Sequence, residues 1–178
     1  IDGHNGMGQV VSKFAMEKCI EKAKKCGVAF VAVRGSNHFG MASYFTRMAL
    51  EHNMIGMCST SPAAHLLAPT GGVEPILDNN PFSFAIPAGK EYPVVLDMAT
   101  SVVSRGKLAS AAKRGDKIPT TWAMTIDGEP TDDPKLGFDG ILLPVGGYKG
   151  YGLTVISGVM AAMLSNAALM SRDICDFY

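Results

Sequence analysis

The stretch VAFVAVRGSNHFGMASYFTRMAL, Val28 to Leu50, sets the reading of the fold. Its first part, Val28–Val33, is a short apolar run rich in β-branched residues, the pattern of a buried strand. The loop RGSNHFG follows, and Met41, Phe45, Met48, Ala49 and His52 then recur at helical spacing. Upstream, Val11, Phe14, Ala15, Cys19, Ala23 and Cys26 form a second amphipathic stripe with Gly27 placed as its C-terminal cap. Downstream, Ile55–Ser59, PFSFAIP (Pro81–Pro87) and PVVLDMA (Pro93–Ala99) are further strand candidates, separated by Gly and Pro. Strands and helices alternate, so the expected class is α/β.

At 178 residues and 47% hydrophobic composition the chain can bury a sizeable core and is too apolar for disorder. Lys plus Arg and Asp plus Glu balance at 16 each. The basic residues are scattered apart from Lys22, Lys24 and Lys25, so nucleic acid is not the expected partner and a small molecule is. Cys19, Cys26, Cys58 and Cys175 lack zinc-site spacing and are too sparse for a disulfide framework, which fits a reducing, cytoplasmic setting. The opening IDGHNGMGQ has no basic segment followed by an apolar core, so no cleavable signal is expected. Gly152 to Met170 is long and free of formal charge, but Thr154, Ser157, Ser165 and Asn166 lie within it. It reads as a buried helix rather than a membrane span. Gly115 to Pro144, rich in Pro and Gly, is expected to be a long surface excursion with little regular structure.

Three polar side chains stand at junctions that follow a strand and precede a helix: His38, Asp97 and Lys149. In open α/β architectures ligands collect beyond the carboxyl ends of strands, so these junctions suggest one shared site. An imidazole with an unperturbed pKa of ~6.5 can act as general acid or base near neutrality. The residues alone leave a second reading of His38 open, a loop histidine bonded to nearby backbone. His52 belongs to the helix stripe, and His4 and His65 have no evident partner. Asp97 in VVLDMATS would be costly to bury without a partner, and a histidine would serve. Its other reading is a cap on a helix starting at Ser101. GGYKGYGL, Gly146 to Leu153, sets glycines around Lys149 ahead of the apolar helix, a composition suited to an anion. The order G-x-x-G-x-G matches neither the Rossmann fingerprint nor a Walker loop, and GHNGMG at Gly3–Gly8 fails in the same way. No second histidine stands at metal-ligand spacing from His38, so no metal is expected.

RGSNHFG, NNPFSFAIP, LDMATS followed by RGK, and GGYKGYGL occur in the order seen in one family. The sequence resembles the malate/L-lactate dehydrogenase family, the non-Rossmann type that includes L-sulfolactate and ureidoglycolate dehydrogenases. That resemblance implies an NAD- or NADP-dependent oxidoreductase, usually a homodimer, with a mixed sheet and flanking helices. By motif match His38 would be the catalytic acid/base and Asp97 would support it. The coenzyme contacts would fall on Ser61 in STSP, on Asp97, Met98 and Ala99 in LDMA, and on Lys149 in GYKG. Ser36 and Asn37, flanking the histidine, would have a positioning role. Members of the family are longer at both ends, with Arg and Tyr side chains of an N-terminal segment contributing to substrate binding. Residues 1–178 would then be the central coenzyme-binding and catalytic part of a longer chain.

The leading expectation is hydride transfer between NAD(P) and a small 2-hydroxyacid or 2-oxoacid. Malate/oxaloacetate is the first pair by family frequency; L-lactate, sulfolactate, ureidoglycolate and cyclic imino acids are the alternatives. A catalytically silent binding or dimerisation module is the competing class.

Overall fold

A computed structural model describes residues 1–62 and 64–167. The chain divides into two compact units. The first comprises Ile1–Thr60 and Pro81–Met98 with the segment from Val159, and the second comprises Ser61–Asn80 and Ala99–Gly158.

In the first unit, strand β1 (Asp2–Gly6) leads into helix α1 (Gly8–Cys26), and β2 (Arg34–Ser36) pairs parallel with β1. Gly27 closes α1 at φ 82°, its N–H donating to the Ala23 carbonyl at 2.8 Å, while Lys24 and Lys25 place positive charge on the last turn. This backbone conformation is the one glycine adopts without strain, and the lysines suit the negative end of the helix dipole. The buried face of α1 is narrower than its sequence stripe: Ala15 and Ile20 are buried, whereas Phe14 is 48% exposed. The strand expected at Val28–Val33 is displaced. Those residues join no ladder, and Val28 and Phe30 are 79% and 63% exposed; the strand proper is Arg34–Ser36.

Helix α2 (Ala42–Met48), continued by a tight turn Ala49–His52, keeps the middle of the expected stripe, with Phe45 and Ala49 buried, but Met41 stands before the helix, 62% exposed, and His52 is exposed; Ala42, Ser43 and Thr46 complete the buried face. It packs on a three-stranded antiparallel sheet of β3 (Gly56–Ser59), β4 (Phe82–Ile86) and β5 (Val94–Met98), in which Cys58, Ser83 and Asp97 form one cross-strand row. All three strands match their sequence candidates. Gly56 lets the sheet approach α2 closely, since a Cβ there would overlap the Thr46 carbonyl oxygen. Beside it the buried hydroxyls of Thr46 and Ser83 are hydrogen-bonded at 2.9 Å, and that of Thr46 also reaches the Ser43 carbonyl at 3.3 Å.

The second unit has its core in Leu66, Leu67, Leu77, Val103, Leu108, Ile118, Ala123 and Leu142. Helix α3 (Arg105–Arg114) is capped by the Ser104 hydroxyl, which accepts from the Lys107 N–H. The Gly115–Pro144 segment is not the surface excursion expected. It forms β6 (Ala123–Met124), helix α4 (Pro134–Asp139) and β7 (Ile141–Leu142), and it supplies Ile118, Ala123, Ile141 and Leu142 to the interior. Its prolines are helix starters in part: Pro134 follows the Asp133 cap, whose carboxylate accepts from the N–H groups of Lys135 and Leu136. The Arg105 guanidinium fastens α3 to this segment through two hydrogen bonds to the Phe138 carbonyl, at 3.0 and 2.6 Å.

Helix α5 (Tyr148–Gly158) passes into a wider π turn (Val159–Met163), and the helical run stops before Asn166, which has φ 54°. Residues 168–170 of the apolar run, like Cys175, lie outside the described residues. Among the described residues no helix is long and apolar enough to cross a membrane.

Candidate active site

His38 lies in the loop between β2 and α2, exposed, and its imidazole makes no hydrogen bond or ion pair among the described residues. The backbone around it is held on both sides. Asn37 donates its side-chain amide to the carbonyl oxygens of Asn5 and Gly6 at 2.7 and 3.0 Å. Phe39 packs edge-on against the buried ring of Phe45, with centroids 5.3 Å apart. An uncommitted imidazole on a fixed backbone can exchange a proton with a bound ligand without first breaking a protein contact.

Asp97 is the penultimate residue of β5 and is exposed. Its carboxylate does not take up the histidine partner expected from sequence. Oδ2 instead accepts the backbone N–H of Ser43, in the first turn of α2, at 2.7 Å. The reason lies in α2 itself: its N-cap residue, Met41, has no side-chain acceptor, so the neighbouring strand provides one. Nor does Asp97 cap a helix from Ser101, because α3 begins at Arg105 under Ser104, while the Ser101 hydroxyl donates to the Val103 carbonyl. Across the ladder, burial pushes the Cys58 thiol up to about 11, and the negative charge of Asp97 adds to the effect. Met98, which ends β5, is half-buried.

In the second unit Ala99 is half-buried and the Ser61 hydroxyl donates to Asp78 Oδ2 at 3.3 Å. Asp78 is the residue that sequence reasoning missed. Its carboxylate, 5% exposed, also accepts the N–H groups of Ala64 and His65 through Oδ1, and so holds the loop after Ser61 closed. In PILDNN Asp78 carries the same signal as Asp97, a carboxylate ending an apolar run.

Lys149 is exposed in the first turn of α5 rather than ahead of it, with no ion pair among the described residues. Gly146 and Gly147 both take φ 63°, which turns the chain into the helix, and Gly147 accepts the Tyr151 N–H at 3.1 Å. Gly150 lets this first turn lie against the chain it has just left, since a Cβ there would overlap the Val145 carbonyl oxygen. Among the described residues no three His, Cys, Asp or Glu side chains gather as a metal site.

The model of one family, malate/L-lactate dehydrogenase, matches residues 1–178. The chain belongs to the malate/L-lactate dehydrogenase family. Within that family it is 45% identical over 170 residues to the L-sulfolactate dehydrogenase of Methanothermobacter thermautotrophicus, covering 94% of this chain and 49% of that one. It is 43% identical over 195 residues to the malate dehydrogenase of Pyrococcus abyssi, covering 100% and 53%. The solved sulfolactate dehydrogenase of Methanocaldococcus jannaschii superposes with a TM-score of 0.84 at 45% identity, covering 91% of this chain and 46% of that one. Two further dehydrogenases of the family are named with their coenzymes: a ureidoglycolate dehydrogenase (NAD(+)) of Escherichia coli O157:H7 and a (2R)-3-sulfolactate dehydrogenase (NADP(+)) of Chromohalobacter salexigens, 39% and 34% identical. The chain spans about half the length of these relatives.

The residues present suit such a coenzyme, an anionic dinucleotide. Lys149 offers an exposed ammonium, without an ion pair among the described residues, in the first turn of a helix, where the dipole favours an anion. The Ser61 hydroxyl, with its proton given to Asp78, keeps lone pairs for a ligand N–H or O–H.

Proposed function

We propose that this chain carries the proton-handling and coenzyme-binding residues of an NAD(P)-dependent 2-hydroxyacid dehydrogenase, with His38 as acid/base. The observation that supports it most is the His38 imidazole, exposed and uncommitted on a backbone held from both sides. In the oxidative direction neutral His38 accepts the hydroxyl proton of the substrate, and in the reductive direction its imidazolium returns that proton to the carbonyl oxygen. Acid–base assistance of this kind contributes ~10²–10⁴ in rate. The coenzyme, when bound, supplies or takes the hydride at the carbon bearing that oxygen. Lys149 binds its anionic part, and Ser61, Met98 and Ala99 line its path. Asp97 acts on the same chemistry by holding the start of α2, four residues beyond His38.

Malate/oxaloacetate is the first substrate pair to assign, and sulfolactate/sulfopyruvate the second, in keeping with the activities named for the relatives. The enzyme is a homodimer in the cytoplasm on this reading. The unpaired thiols of Cys19, Cys26 and Cys58 suit a reducing compartment. The test is oxidation of NADH and NADPH by the full-length protein with oxaloacetate, pyruvate, sulfopyruvate, oxalurate and a cyclic imino acid. Turnover with a 2-oxoacid is expected. Saturable coenzyme binding with no turnover on any of them would contradict the proposal.

A further inference from the structure

The motif GHNGMG, which matches no phosphate loop, is placed by the fold against the histidine loop. Strand β1 and strand β2 pair at Asp2–Arg34 and again at Gly6–Ser36, so β1 spends four steps where β2 spends two. The surplus is taken up by a bulge in which His4 and Asn5 both enter the left-handed region, at φ 49° and 56°. Such a conformation is uncommon outside glycine and costs free energy, so something must hold it. The Asp2 carboxylate does so from within, accepting the His4 N–H at 2.9 Å while bridging to Arg34 at 3.1 Å.

The result of the bulge is that two successive carbonyl oxygens, those of Asn5 and Gly6, meet the amide of Asn37. One residue past β1's end comes Met7, and then Gly8, the first residue of α1. A Cβ on Gly8 would overlap the carbonyl oxygens of both Asn37 and His38. Gly8 is therefore in contact with the peptide groups on either side of the His38 Cα, at a distance that only a hydrogen side chain permits. Asn37 fixes the loop by two hydrogen bonds, and Gly8 fixes it by shape.

We infer that the bulged β1 segment Asn5–Gly8 is a brace that sets the position of the His38 imidazole, with Asn37 and Gly8 as its positioning residues. The inference rests on His38 as the acid/base of the proposed dehydrogenase. A proton donor must lie within hydrogen-bond reach of the reacting oxygen, and a displacement near 1 Å can cost ~10²-fold in rate. The imidazole itself has no partner among the described residues to orient it. Its placement falls to the backbone, and the backbone is held by β1.

The test uses the full-length enzyme with Asn37→Ala and Gly8→Ala, each made alone and in a His38→Ala background. Turnover, substrate KM, coenzyme Kd, melting temperature and the primary isotope effect with 4-deuterated coenzyme are measured for each. Asn37→Ala is expected to lower kcat about 10- to 100-fold while KM and coenzyme Kd move less than about threefold. The isotope effect on kcat should rise as the transfer step becomes slower than product release. In the His38→Ala background the same change should cost nothing further, because there is no imidazole left to place. Gly8→Ala alters no polar group but drives a Cβ into the Asn37 carbonyl, so it is read beside its melting temperature; Asn37→Ser, which leaves the Gly8 contact intact and withdraws the amide, should give the same signature as Asn37→Ala and keeps the test available should either of the others fold poorly. An equal loss from Asn37→Ala with and without His38, or an unchanged isotope effect, would overturn the brace and leave a structural role. Loss of turnover in His38→Ala with Asn37→Ala and Gly8→Ala unaffected would overturn the brace alone. Full turnover in His38→Ala would overturn the acid/base reading and the brace with it.

Discussion

The Oδ2 atom of Asp97 accepts the backbone N–H of Ser43 at 2.7 Å, so a carboxylate on β5 caps the start of α2. The α2 residues Phe45 and Thr46 are buried against the sheet, and the loop leading into the helix carries His38. One hydrogen bond thus links the strand that bears two of the expected coenzyme contacts to the loop that bears the histidine. Replacing Asp97 with Ala should cost about 1 kcal/mol, the usual worth of a helix cap, and Asp97→Asn less because an acceptor oxygen remains. Urea unfolding of the variants checks this: the midpoint should fall with the slope unchanged.

Cys58 predicts a specific alkaline weakness. Its thiol is pushed from 9.0 up to about 11 by burial and by the Asp97 charge. The protonated thiol is the form that the fold favours. Its contribution is complete below about pH 9 and is lost as pH rises towards about 11, since the unfolded chain gives up that proton first. Unfolding midpoints measured between pH 8 and pH 11 should fall less steeply in Cys58→Ala than in the parent. Iodoacetamide at pH 8 should modify the exposed Cys26 well before Cys58, as read by peptide mass mapping.

The Thr46–Ser83 pair should show the asymmetry of buried hydroxyls. Thr46→Val alone strands the buried Ser83 hydroxyl and is expected to cost about 1–2 kcal/mol, whereas Ser83→Ala alone should cost less, because the Thr46 hydroxyl keeps its bond to the Ser43 carbonyl. The double variant strands neither, so its cost should be smaller than the sum. Additive losses in a double-mutant cycle would show that the two hydroxyls do not depend on each other.

Lys149 has no ion pair among the described residues, so its charge is available to a ligand. Lys149→Met is expected to raise the coenzyme Kd about 10-fold or more, in the range of a lost charge-assisted hydrogen bond, and to leave the melting temperature unchanged. Fluorescence titration with NADH and NADPH at two salt concentrations measures it. An unchanged Kd for both would remove Lys149 from the coenzyme site.

Much of this organisation is legible in the residues, for definable reasons. β3, β4 and β5 are short apolar runs bounded by Gly and Pro, and both cues survive into the fold. Helix α1 carries its own stop in Gly27. Val28–Val33 misleads because β-branched composition reports how well a residue fits a ladder, not whether a ladder partner is there. β1 is invisible for the opposite reason: DGHNG has no strand propensity, and its bulge comes from tertiary contacts to Arg34 and Asn37. The segment after Gly115 looks irregular because its elements are only a few residues long and are stabilised by burial of Ile118, Ala123 and Leu142. Asp97 reads in the sequence as a buried carboxylate that needs a side-chain partner, but it is exposed and its donor is a backbone N–H, which no side-chain pattern announces.

The central claim is that His38 moves the proton, and the most direct measurement is steady-state 2-oxoacid reduction by the full-length His38→Ala enzyme beside its coenzyme Kd. The account predicts a fall in kcat of ~10²–10⁴ with the coenzyme Kd within about threefold of the parent. A variant that binds coenzyme normally and turns over at the parent's rate would contradict it.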